Sequence, residues 1–198
     1  ELGRSFIIPE YQRSSALSLM WKGIAQFLLR QAREGRVYLN LIGPASIPAV
    51  YNSLSINLIL AFFETHFPDT ELSGLVMSPN PPVVKGPIEY DFLKRLAKTM
   101  VNRKGEPDLT LLGRMIESIE GPEVGVPTLF EAYAKLTGGL YSAFSVDPQF
   151  GSVDGLVRVR VLNIMQRVLE QFFGDDLNEF LQLVQKASSD VRRDLVGR

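Results

Sequence analysis

A mixed α/β fold is predicted for this chain of 198 residues. Three observations predict it. The stretch up to Pro68 alternates strand-like and helix-like patterning. Two alternating segments after residue 139 flank a turn-forming Asp147-Pro148-Gln149-Phe150-Gly151. Most of the remainder carries apolar residues at helical spacing. Strand–helix–strand–helix order is what a mixed or parallel sheet with helical cover requires.

The elements follow in order. Leu2–Ile8 reads as a strand stopped by Pro9. Tyr11–Ser15 is a polar turn, and Ser14 or Ser15 can cap the helix that follows. From Ala16 to about Arg33, apolar residues recur at Leu17, Met20, Trp21, Ile24, Phe27 and Leu28, one face of a helix. Gly35 ends it. Val37–Ile42 is nearly continuous in apolar residues, as a buried central strand would be, and Gly43-Pro44-Ala45-Ser46 is expected to break it. Ser53 or Ser55 starts a helix to His66, ended by Pro68. Residues 68–89 read as loop, stiffened by Ser78-Pro79-Asn80-Pro81-Pro82. Helices are expected at Tyr90–Val101, Leu109–Ile119 and Thr128–Leu136, the last stopped by Gly138-Gly139. Leu140–Val146 and Gly155–Leu162 form a hairpin with a long tip. Helices over Met165–Phe173 and Leu177–Val196 complete the chain.

Composition limits the chemistry. Apolar residues make up 45% and charged residues 22% of the chain, a globular balance. That length suits one domain, or one with an appendage, and suffices for a sizeable core. A net charge of −1 and no basic tail leave no field for nucleic acid. With no cysteine, disulfides, cysteine-ligated zinc, iron–sulfur clusters and a thiol nucleophile are excluded. His66 is the only histidine, so a multi-histidine metal site is excluded, and no metal or redox cofactor is expected. No run approaches the ~18–20 apolar residues of a membrane span. Glu1-Leu2-Gly3-Arg4 has no signal-peptide layout and opens directly on a strand, so further sequence is expected upstream.

One unit invites chemistry. A helix start carries unpaired N–H groups and partial positive charge, which suits a phosphate. Arg13, Ser14 and Ser15 add side-chain donors there. A phosphopantetheine arm or pyrophosphate held in that turn would lay its thioester beside the preceding strand.

The residues that carry a resemblance are Glu1-Leu2-Gly3-Arg4-Ser5, Pro9-Glu10-Tyr11-Gln12-Arg13 and Leu19-Met20-Trp21-Lys22-Gly23-Ile24. Leu39–Ile47, Tyr133–Gly139 and Asp147-Pro148-Gln149-Phe150 follow in the same order. Together they resemble the ornithine-lipid-type N-acyltransferases, often labelled hemolysins, of the GNAT-like acyl-CoA N-acyltransferase superfamily. The Glu-x-x-Arg strand is also similar to that of acyl-homoserine lactone synthases. The resemblance covers residues 1–173. It implies a GNAT-like acyltransferase domain there, with a helical insertion at about 82–124 and a helical tail at 174–198. The superfamily's first helices and strands do not precede Glu1, so the fold is expected to lack its N-terminal part.

The implied activity is transfer of a fatty acyl group from acyl carrier protein, or from CoA, to the amine of an amino acid such as ornithine or glycine, in amino-acid-lipid synthesis. Glu1 is the catalytic candidate, as general base. Arg4, Ser5, Arg13, Ser14 and Ser15 are the donor-binding candidates, and Asp147 the acceptor-binding one. Strand N–H groups would stabilise the oxyanion. The donor, acyl-ACP phosphopantetheine or acyl-CoA, is a substrate, and no bound cofactor is expected. Where the superfamily has Arg/Gln-x-x-Gly-x-Gly/Ala, Gln12-Arg13-Ser14-Ser15-Ala16-Leu17 has no glycine, a crowding that favours the slimmer phosphopantetheine donor. The expected partners are acyl carrier protein and the amino acid, in the cytoplasm. A homodimer and a peripheral contact with the inner face of the membrane remain open.

Plainer roles stand beside these. Arg4 could form a salt bridge within the sheet, Asp147 could simply fix its turn, and His66 suits a helix C-terminus. Trp21, Met20 and Phe27 suit a core or the wall of an acyl tunnel. Lys94, Arg95, Lys98, Arg103 and Lys104 suit a solvated face, or a dock for an acidic carrier or anionic lipid. The apolar stretch 54–92 suits a core, a dimer contact or a membrane contact. The rival functions are a small-molecule acetyl-CoA N-acetyltransferase and a catalytically silent module that binds a lipid or a partner.

Overall fold

The computed structural model describes residues 7–11, 14–72, 74–83 and 88–196, with 191–196 by backbone alone. It is a mixed α/β protein and divides into two compact units. One is helical, built from the described residues up to Ile42, Leu136–Gly138 and the chain from Val159 onward. The other, Gly43–Lys135 with Gly139–Arg158, holds most of the sheet.

The helical unit is made by α1 (Ala16–Arg33), α6 (Gln166–Phe173) and α7 (Leu177–Val196). Its core gathers Leu28 and Leu29 of α1, Val161, Phe173 of α6, and Phe180 and Val184 of α7. The Phe173 and Phe180 rings stack with centroids 4.1 Å apart. The terminal helix, expected as a tail, is therefore part of this core. The buried stripe of α1 runs through Ala25, Leu28, Leu29 and Ala32, an i, i+3, i+4, i+7 series. Phe27, expected on the buried face, sits one helical step off this stripe, is exposed, and stacks on Tyr38 at 6.3 Å. Gly35 stops α1 as its position predicts. At φ +84° it lets its own N–H reach Ala32 O and the Arg36 N–H reach Gln31 O, the paired bonds of a Schellman motif.

Among the described residues the sheet has three strands in the order β1-β3-β2: β1 (Asn40–Ile47), β2 (Leu140–Val146) and β3 (Val153–Arg160). β2 and β3 are an antiparallel hairpin, with Val146 opposite Val153 and Phe144 opposite Gly155. β1 corrects the sequence reading twice. Among the described residues it is an edge strand, not a central one, and it runs through Gly43-Pro44-Ala45-Ser46. Gly43, Ala45 and Ile47 are buried while Ile42, Pro44 and Ser46 are exposed, a period-2 alternation hidden by small residues. Proline is tolerated there because an edge strand has one side of its backbone without a ladder to complete.

Between the strands lie α2 (Ser53–His66), α3 (Tyr90–Thr99), α4 (Leu109–Glu120) and the short α5 (Thr128–Ala132). A π-helical turn, Tyr133–Thr137, replaces the expected last turn of α5. α2 is buried nearly all round from Asn57 to Phe63, as a central core helix is. Asn52 caps it, taking the Leu54 N–H on its side-chain oxygen at 2.9 Å. His66 ends it and donates from Nε2 to Ala97 O at 2.7 Å, tying α2 to α3. Phe130, Tyr141 and Phe144 stack nearly parallel, at 5.0 and 5.6 Å. Gly155 makes room for them: a Cβ there would lie 2.7 Å from Phe144 Cε1 and 2.8 Å from Tyr141 Cδ1.

The loop after α2 guards the outer edge of β2. Pro68 bridges Tyr141 in parallel, and the Asp69 N–H donates to Tyr141 O at 2.8 Å. At the other end of the strand, Val146 N–H donates to Asn80 O at 2.8 Å.

Candidate functional site

The entry to α1 is a compact turn. Pro9–Tyr11 is one 3-10 turn. The Tyr11 N–H donates to Ile8 O at 2.9 Å and the Ser14 N–H to Tyr11 O at 3.1 Å. The Ser14 hydroxyl donates to Tyr11 O at 2.6 Å and accepts the Ala16 N–H at 3.1 Å. Ser14 thus fixes the turn with its only hydroxyl proton, so it has none to give a phosphate while that bond holds. Ser15 holds the N-cap position without a side-chain cap bond and is exposed. The next N–H groups, of Leu17 and Ser18, lie in the first turn, where no intrahelical carbonyl reaches them. Of the donor-binding candidates, Arg4, Ser5 and Arg13 lie outside the described residues, as does the catalytic candidate Glu1.

Asp147 belongs to the other unit. Its Oδ1 accepts the N–H groups of Gln149 at 2.7 Å and Phe150 at 3.2 Å. Its backbone closes the tip, with its N–H to Ser152 O and its carbonyl accepting the Gly151 N–H. The plain role, fixing the turn, is the one these bonds serve.

The sheet unit holds two charged groupings that the sequence reading did not single out. The first is buried. Arg158 on β3 donates from Nε and Nη2 to the two carboxylate oxygens of Asp69, at 2.6 and 2.5 Å, and reaches Glu71 at 3.0 Å. Such a bidentate pair is geometrically specific, and it ties the loop after α2 to the central strand. Only a charge on a strand, and an acid after Pro68, hinted at it in the sequence.

The second is an open cleft of about 450 Å³ between α4 and the chain from Glu123 to Glu131. Gly113 and Gly125 border open space, for a Cβ on either would meet nothing within 4 Å. Arg114, Glu117, Glu123 and Glu131 line it, and Glu131 is paired with Lys135. Glu123 has φ 70°, the left-handed region, unusual for a side chain of this kind. A cation beside carboxylates suits a zwitterion. The i, i+3 spacing of Arg114 and Glu117 was the available sequence signal.

Buried tyrosines offer no base near neutral pH. Burial pushes the Tyr133 and Tyr141 hydroxyls up from their ordinary range. The Tyr141 hydroxyl is buried with no hydrogen-bond partner among the described residues. Among those residues no group of three or more acidic, histidine or cysteine side chains could hold a metal ion, and no helix is long and apolar enough to cross a membrane. No protein-family model, curated protein or solved structure matches the chain.

Proposed function

We propose that this protein is a GNAT-like N-acyltransferase that moves a fatty acyl group from the thioester of acyl carrier protein, or of CoA, to the amine of an amino acid. The observation that carries the reading is the entry to α1. A helix of 18 residues opens at an exposed turn whose shape Ser14 fixes, leaving the Ser15 hydroxyl and first-turn N–H groups to face a ligand. An anion such as the phosphate of phosphopantetheine suits that arrangement. In the proposed reaction the amine nitrogen attacks the thioester carbonyl. The C–N bond forms, the C–S bond breaks, and Glu1 takes the amine proton and passes it to the departing thiolate, which leaves as the thiol.

The test is incubation of the full-length protein with acyl-ACP and acyl-CoA donors and a panel of amino acids, with products read by mass spectrometry. Expected is an N-acyl amino acid, with Glu1→Ala abolishing its formation and Ser15→Ala raising the donor's KM about fivefold. No acylated product with any pair would overturn the reading.

The cleft favours a second reading: a binding module that holds a zwitterion without reaction, Arg114 facing its carboxylate and Glu117 or Glu123 its ammonium. Absence of product, together with calorimetric binding of an amino acid that Arg114→Ala removes, would select it.

A further inference from the structure

Three loops of the sheet unit meet at one end of the sheet, where β2 hands over to β3. One is the turn after β1, closed by the Tyr51 N–H on Pro48 O. The second is the hairpin tip, Asp147–Gly151. The third is the segment around Asn80. Contacts hold them together. A Cβ on Gly151 would lie 3.4 Å from Ala49 Cβ. Asn80 O accepts the N–H of Val146 at 2.8 Å and the hydroxyl of Ser145 at 3.4 Å.

Each loop carries an apolar side chain standing almost wholly in water. Val50 is 86% exposed, Phe150 75%, and Met77 and Val83, both within three residues of Asn80, are 85% and 73%. Single exposed apolar residues are ordinary. Four on three converging loops do nothing for the fold and mark a contact surface.

Two features say what the surface meets. Among the described residues of these loops (48–51, 77–83 and 147–151), the only charged side chain is Asp147, and its Oδ1 is turned onto two backbone N–H groups. Among their described residues, these loops thus offer no cationic side chain to a lipid headgroup. The apolar groups also stand on separate tips, stiffened by Pro48, Pro79, Pro81, Pro82 and Pro148. A protein partner would need a matching depression for each tip. A fluid bilayer closes round them without one, and turns closed by hydrogen bonds such as Tyr51 N–H to Pro48 O and Gly151 N–H to Asp147 O have little conformational freedom to lose on contact.

We propose that this end of the sheet dips into the boundary layer of a lipid bilayer, with Phe150, Val50, Met77 and Val83 passing between the headgroups. Attraction is by apolar burial, as for other interfacial anchors. The proposal needs neither an acyl donor nor an acceptor and stands apart from the acyl-transfer reading.

The test is co-sedimentation of the full chain with vesicles of zwitterionic phosphatidylcholine. Binding is expected, changing less than about twofold between about 0.05 and 0.5 M salt. Phe150→Ser should weaken it about tenfold and Val50→Ser, on a different loop, about threefold. Phe92→Ser, an exposed aromatic of α3, should leave it unchanged. Circular dichroism should show both loop variants folded. No binding would overturn the proposal. So would binding that requires anionic lipid and vanishes in salt, which would point to Arg95 and Lys98 instead. So would loss of a concentration-dependent dimer in Phe150→Ser without any vesicle binding, which would identify a second copy as the occupant.

Discussion

In the helical unit the ion pairs of Arg33 stay in water, whereas in the sheet unit the pair of Arg158 with Asp69 is buried. Arg33 of α1 meets Asp176 at 2.9 Å and Glu179 at 2.6 Å, and all three side chains are roughly half exposed. Arg158 and Asp69 are 9% and 0% exposed at their side chains. The same chemistry therefore has different consequences. An exposed pair contributes little, because solvent and salt screen it. A buried pair becomes indispensable once formed, because removing one partner strands the other charge away from water. The helical unit depends on its Phe173–Phe180 packing, and the sheet unit on an aromatic stack and one ionic clasp.

The largest expected effect breaks that clasp. Asp69→Ala should destabilise the sheet unit by about 3–5 kcal/mol, read by denaturant titration of near-ultraviolet circular dichroism. Trp21, the single tryptophan, belongs to the helical unit and packs 5.9 Å from Phe172. If its fluorescence transition stays in place while the sheet signal shifts, the two units have separate stabilities. If both shift together, they unfold as one.

Next comes the aromatic stack. Gly155→Ala puts a methyl against the rings of Tyr141 and Phe144 and should cost about 1–3 kcal/mol, again in the sheet signal. An unchanged midpoint would show that the stack yields more easily than its geometry implies.

The smallest effect concerns the exposed pair. The Arg33 hydrogen bond holds the Glu179 carboxyl below its ordinary value of 4.5. A depressed folded value stabilises above the ordinary one, and that contribution is lost as pH falls through the folded value. Wild type should therefore lose slightly more stability on acidification below about pH 4.5 than Glu179→Gln does. Identical acid limbs would show the exposed pair to be without thermodynamic weight.

Local signals were legible and long-range ones were not. Gly35, the 3.6-residue period of α1 and the alternation around Asp147 each act within a few residues, and the elements they predict are present. β2 and α7 fall on their expected bounds, Leu140–Val146 and Leu177–Val196. β1 was misplaced because Gly43-Pro44 reads as a breaker unless the strand is known to be an edge, and only the sheet order reveals that. Phe27 was misassigned because a helical stripe can shift by one residue at little change in apolar spacing. The Asp69–Arg158 clasp spans 89 positions in sequence, and no periodicity announces it. At the candidate site, the helix start at Ala16 and a cap at Ser14 or Ser15 could be read, and Ser15 takes the N-cap position without a side-chain cap bond. That Ser14 spends its hydroxyl proton on the turn could be learned only from its bond to Tyr11 O. The cleft was missed because Arg114 and Glu117 belong to no motif, and no spacing announces that Glu123 lines the same space.

Pro44 also bears on how copies of this molecule behave toward one another. A three-stranded sheet has two rims, and a rim with free N–H and C=O groups is a template on which another chain can add a strand. The loop after α2 runs along the rim of β2. On β1, an edge strand among the described residues, Pro44 has no N–H to give to any ladder. The residue that disguised this strand in the sequence thus also makes it a poorer template for another chain.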